Sequence, residues 1–146
     1  MAQEIDLNHT SSAALAFLGD SVFELFLRSH IVQAYEESAD ALNKRSKLFT
    51  NARAQAHMAD FLQDRLTDDE LAVYKRGRNH KSLNAPKSCS ISEYRRATGL
   101  EALMGYLFLK GEEERIRELI TAGIEALPES QRIPCDTGSC SQPIQS

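Results

Sequence analysis

Two stretches of this chain are apolar on almost every side of a helix, yet each carries an acid. The first is Ala13-Ala14-Leu15-Ala16-Phe17-Leu18-Gly19-Asp20-Ser21-Val22-Phe23-Glu24-Leu25-Phe26-Leu27, and the second is Gly99-Leu100-Glu101-Ala102-Leu103-Met104-Gly105-Tyr106-Leu107-Phe108-Leu109. A helix of this kind hides most of its surface, in a core or in a dimer interface. A carboxylate in such a setting is costly unless a cation or a partner answers it. Glu24 lies four residues before Arg28 and so has an intrahelical partner. Asp20 and Glu101 have no such neighbour in α-helical register. If the two helices pack together, with Gly19 and Gly105 permitting close backbone approach, the two acids meet. Converged carboxylates do not both stay ionised without a counter-charge, and a hard divalent cation supplies one. A cation held this way orients a water and neutralises charge at a phosphate, which is the chemistry of phosphodiester cleavage. Two structural roles stay open on these grounds alone: Asp20 as a cap after Gly19, and Glu101 paired with Arg96 or another basic side chain.

The rest of the chain reads as all-α, with helix signals recurring and no alternating strand pattern. Ser11 or Ser12 caps a helix from about Ala13 to Tyr35. Ser38 or Asp40 opens a second, roughly Ala41 to Arg65, rich in good helix formers. Thr67-Asp68-Asp69-Glu70 and Ser90-Ile91-Ser92-Glu93 are capping boxes, starting helices that end near Gly77 and Lys110. Residues 77–89 read as a loop, and a last amphipathic helix covers Glu112 to Ala126, stopped by Pro128. The expected organisation is one domain over residues 1–127 and a flexible Pro/Ser/Gln/Gly-rich tail over 128–146. No apolar run is long enough to span a bilayer, and the acidic N-terminus lacks a signal core, so a cytoplasmic location is expected. The three cysteines do not form a disulfide framework. The Cys135/Cys140 pair lacks the further ligands that zinc requires.

Formal net charge is −4, which at first argues against a polyanionic partner. Charge is unevenly placed, however. Lys75, Arg76, Arg78, Lys81, Lys87, Arg95 and Arg96 stand against the single acid Glu93, a local +6. A basic strip of that size can dock a phosphate backbone on an acidic protein. A solvated basic loop is the competing reading of the composition.

The segment Leu15 to Glu24 resembles the signature motif of the ribonuclease III family, the stretch ending in F-L-G-D-[AS]-V. Glu101 to Leu109 resembles the family's other catalytic stretch, E-A-[LI]-[IM]-G-x-[LI]-[YF]-L. Arg76-Gly77-Arg78-Asn79-His80-Lys81 and Tyr94-Arg95-Arg96-Ala97-Thr98 narrow the resemblance to the Mini-III branch, over roughly Asp6 to Leu127. It implies the all-helical ribonuclease III domain working as a homodimer on double-stranded RNA. Asp20 and Glu101 would be the catalytic, metal-binding carboxylates, with Mg²⁺ as the cation and Mn²⁺ a substitute. Products would carry 5′-phosphate and 3′-hydroxyl ends, and the substrate would be the precursor of large-subunit (23S) ribosomal RNA. A ribosomal protein as a further partner is left open.

The chain departs from the broader family at two positions. Most members carry acids where Ala16 and Thr98 stand here, so the four-acid site is reduced to two per subunit, and a single Mg²⁺ is easier to justify than two. The alternative function is a non-catalytic RNA-binding protein of ribosome assembly on the same fold. After Leu127 too few residues remain for a double-stranded-RNA-binding domain, so affinity is expected from the basic strip: Arg76, Arg78, Asn79, Lys81, Lys87, Arg95 and Arg96. Lys44, Arg45 and Lys47 could extend it or form a solvated helix face. Asn51 and Gln55 could face RNA, a partner subunit or solvent, and His80 is expected to face RNA rather than act as a base.

Overall fold

Helix caps set most of the architecture of this chain. The computed structural model describes residues 6, 7, 9–80, 87 and 89–127. Lys81, most of the expected basic loop and the tail with Cys135 and Cys140 lie outside the described residues. Helix α1 (Ser12–Ala34) starts where the Ser11 hydroxyl accepts the Ala14 N–H at 3.1 Å. Both expected capping boxes form. Thr67 and Glu70 open α4 (Asp68–Asn79), and Ser90 and Glu93 open α5 (Ile91–Leu109). Gly111, at φ 77°, supplies the left-handed residue that ends α5 and turns the chain into α6 (Glu113–Ala126).

The expected single helix over residues 41–65 is instead two, α2 (Ala39–Thr50) and α3 (Ala52–Leu62), followed by a 3₁₀ turn at Gln63–Arg65. Asn51 makes the break by capping both helices. Its backbone is extended, at φ −84° and ψ 156°. Its side-chain oxygen accepts the Ala54 N–H at 2.9 Å, while its amide donates to the Lys47 and Leu48 carbonyls at 3.0 and 3.2 Å. A side chain that satisfies orphan groups on both sides competes successfully with a continuous helix. Asn51 therefore has a structural role, and Gln55 is buried rather than presented to a partner.

Helix α5 is the axis of the fold: α1, α4 and α3 make their most extensive contacts with it. Leu100, Leu103, Met104 and Leu107 on α5 are fully buried, together with Leu15, Phe23 and Leu27 of α1 and Ile116 and Ile120 of α6. Two ion pairs lock the periphery. Arg45 donates to both oxygens of Glu37, at 2.5 and 3.0 Å, and stacks 3.6 Å from the Tyr35 ring. Both side chains are buried, so Arg45 braces the α1–α2 corner and does not extend a basic face; Lys44 and Lys47 are exposed. Arg115 joins α6 to Glu70 of α4 with two bonds of 2.8–2.9 Å and to the Arg65 carbonyl.

Only one face of α1 is covered. Phe17, Leu25 and Val32 are 84%, 61% and 60% exposed, an apolar stripe on the side away from α5.

On the covered face, α1 and α5 touch backbone to backbone. A methyl group on Gly19 would overlap the carbonyl oxygen of Glu101 and lie 3.0 Å from the Gly105 nitrogen. One on Gly105 would overlap the Leu15 carbonyl oxygen. Backbone cannot yield as a flexible side chain does, so Gly19→Ala and Gly105→Ala should each cost more than about 3 kcal/mol in chemical denaturation. Gly111→Ala meets no atom within 4 Å and should cost only the left-handed backbone penalty, about 1–2 kcal/mol.

Candidate active site

The glycine crossing fixes where one acid on each helix falls. Asp20 follows Gly19 on α1, and Glu101 itself supplies the carbonyl that Gly19 rests on. The two carboxylates therefore meet at the α1–α5 seam, Asp20 exposed and Glu101 largely covered. Burial pushes the Glu101 carboxyl up to about 9, helped by its hydrogen bond with Asp20 and by the Asp20 charge. A carboxyl so displaced, beside a second acid, is poised for a counter-cation.

Neither the Asp20 cap nor the Glu101–Arg96 pair forms. Asp20 sits well inside α1, where it caps nothing. Arg96 is engaged elsewhere, with Asp60 and with the Ser92 carbonyl at 3.3 Å. Glu24 does pair with Arg28, at 2.6 Å. Among the described residues no group of three His, Cys, Asp or Glu side chains converges. Two carboxylates at one seam would suit a hard divalent cation that keeps most of its waters better than a soft metal. One turn before each acid, Ala16 brings no polar group, and the Thr98 hydroxyl donates to its own helix at the Tyr94 carbonyl, 2.9 Å away.

The basic strip is not one patch. Arg76 turns toward the start of α1, with its Nε 3.2 Å from the Ser12 hydroxyl and an Nη 3.3 Å from the Thr10 carbonyl. Arg78 leans over the Tyr74 ring and donates to the Asn79 side chain at 3.2 Å. On that side it joins Arg96 and Asp60 as the charges acting on the Tyr74 hydroxyl, which burial pushes above its ordinary range. Lys87, Arg95, Asn79 and His80 are exposed. Asp60 and Tyr74 carry no sequence signal. An acid on an ordinary helix face shows its partner 36 residues away only once the chain is folded.

A fold of helices packed on a central α5, with two acids at a glycine crossing, defines a class: the chain belongs to the ribonuclease III family, whose domain matches residues 13–112. Within that family it groups with the Mini-ribonuclease 3 enzymes, and this places it among the endoribonucleases. It is 38% identical to Mini-ribonuclease 3 of Clostridium tetani over 87% of this chain and 85% of the relative. It is 42% identical to that of Brevibacillus brevis over 79% and 86%. A crystal structure of a Fusobacterium nucleatum protein superposes with a TM-score of 0.73 at 34% identity, covering 82% of this chain and 96% of that one.

The raised Glu101 carboxyl makes a stability prediction. Its folded value, about 9, lies above its ordinary 4.5. The folded state therefore holds the proton more tightly, and metal-free stability is highest below about pH 4.5 and falls as pH rises toward about 9. In EDTA, Glu101→Gln should melt several degrees above the parent near pH 8.5 and close to it near pH 5, roughly the ordinary carboxylate range. Saturating divalent cation should shrink or reverse the difference at high pH, because only the parent binds it well. Parallel melting curves at both pH values would remove the account of Glu101 given above.

Proposed function

We propose that this chain is a Mg²⁺-dependent endonuclease of double-stranded RNA that works as a homodimer, with Mn²⁺ able to replace Mg²⁺. The observation that carries the reading is the meeting of Asp20 and Glu101 across the α1–α5 seam. In the reaction these two side chains hold and orient the cation. Once bound, the cation supplies an activated water and offsets charge on the scissile phosphate. The proposed products are 5′-phosphate and 3′-hydroxyl ends. The proposed substrate is the precursor of 23S ribosomal RNA in the cytoplasm, acted on by the nuclease domain over residues 1–127. RNA contacts are assigned to Arg78, Asn79, Lys81, Lys87, Arg95 and Arg96, with Arg76 contributing from the α1 side. The exposed stripe Phe17, Leu25 and Val32 supports pairing of two copies through α1, since water-exposed apolar residues in one row favour a covering partner.

The second reading, a non-catalytic RNA-binding protein of ribosome assembly, is favoured by Ala16 and Thr98, neither of which can ligate through a carboxylate. Purified protein incubated with duplex RNA separates the two readings. Cutting with Mg²⁺ and none in EDTA supports the nuclease. Asp20→Asn and Glu101→Gln should each lower cleavage by about a hundredfold or more, as loss of a metal-held charge in a reacting centre does, while RNA still binds. Near-normal cutting by either variant overturns the site. Phe17→Glu should shift the protein from dimer to monomer in light scattering, and an unchanged mass would move the interface off this stripe.

A further inference from the structure

Ion pairs in this protein fall into two kinds. In Glu37–Arg45 and Glu70–Arg115 the carboxylate is almost wholly covered, 4% and 6% exposed. Asp60–Arg96 is different: it also links two helices, α3 and α5, but its carboxylate is 51% exposed and Arg96 is 26% exposed. An exposed pair of this sort adds little to stability. What it does is occupy a guanidinium of the basic strip with a carboxylate. Arg78 leans over the Tyr74 ring at 5.6 Å, and Arg78, Asp60 and Arg96 are the charges that act on the Tyr74 hydroxyl. That hydroxyl is buried and has no hydrogen-bond acceptor among the described residues.

We propose that Asp60 is a built-in competitor for RNA: in the free protein it fills the place on Arg96 that a backbone phosphate of the duplex takes on binding. The proposal rests on the RNA-binding reading above and adds to it the residue that sets its strength. A phosphate oxygen and a carboxylate oxygen make the same charge-assisted bonds to a guanidinium, so they exclude each other at one set of donors. Docking must break Asp60–Arg96 and leave Asp60 beside a polyanion. The freed carboxylate then repels the backbone or takes up a cation from solution, which offsets part of the gain from counterion release.

The test measures binding of a labelled RNA duplex to the full chain in EDTA, across a series of KCl concentrations. Asp60→Asn should bind roughly two- to five-fold more tightly, the size of an exposed ion pair. The slope of log affinity against log salt should steepen by up to about one unit. Arg96→Ala should weaken binding, and Asp60→Asn should give no gain in the Arg96→Ala background. Melting temperatures close to the parent would show that each variant is folded, as expected for an exposed pair. If Asp60→Asn binds no better or more weakly, Asp60 positions Arg96 and the proposal is wrong. A gain that persists without Arg96 overturns it too, since the effect would then be general charge. Should the parent chain show no salt-dependent RNA binding, both the proposal and the RNA reading fall. If the parent binds and cuts duplex RNA but Asp60→Asn gains nothing, only the proposal falls.

Discussion

Everything in this fold that bears on chemistry depends on how closely α1 approaches α5. The helices meet at Gly19 and Gly105, each pressed against a carbonyl of the other helix. Helices bearing side chains at their contact keep axes about 8–10 Å apart. Glycine at both crossing points removes that spacer, and two acids on neighbouring residues come within hydrogen-bond reach. The same approach buries Phe23 and Leu27 in one cluster with Leu100, Leu103 and Leu107, so the core and the acid pair are products of one contact. On the other side of α5, Gly99 does the same for α4: a methyl there would meet the Tyr74 carbonyl at 2.7 Å and its ring at 2.9 Å. A central helix with small residues on two faces can be gripped from both sides.

That geometry has an electrostatic cost, which falls on Glu101. Burial is the largest cause of its upward displacement, and the Asp20 hydrogen bond and charge add to it. The metal-free protein therefore keeps a proton at the seam near neutral pH. With Ala16 and Thr98 one turn away, the seam holds two carboxylates, and their full charge matches a single divalent cation. A site with four acids would need more positive charge for the same neutrality. Stability given up at a reacting centre and recovered on ligand binding is a common arrangement in enzymes.

Local signals were legible in the sequence wherever one residue type does a job that few others do. The capping boxes at Thr67 and Ser90, the stop at Gly111 and the two acid-bearing helices each follow from short-range chemistry. Failures came where a polar side chain's choice of partner, local or across the fold, decides. Residues 41–65 have helical propensity throughout, and only the double capping by Asn51 divides them. Arg45 sits in a run of lysine and arginine that looks like a solvated face, but its partner Glu37 lies across the α1–α2 corner, eight residues back. Gln55 is polar by composition and buried by packing. For Asp20 and Glu101, the pattern foresees their meeting at the glycines, but burial falls on Glu101 alone, Asp20 being exposed.

The basic strip shows the limit of counting charge along a chain. Seven cations within 22 residues look like one surface, but a helix spreads consecutive residues around its axis. Arg76 and Arg78 are two positions apart, about 200° around α4. One reaches Ser12 at the head of α1, and the other leans over Tyr74 toward α5. The strip therefore flanks α4 and does not run along it, and each arm is partly answered by the protein itself, through the Thr10 carbonyl on one side and Asp60 on the other. A polyanion approaching this chain meets cations already holding intramolecular partners, in a molecule of net charge −4. On the RNA-binding reading proposed above, attraction for a duplex would be the difference between new phosphate contacts and the internal bonds given up. A small difference of that kind favours a substrate that engages both arms at once over one that touches either alone.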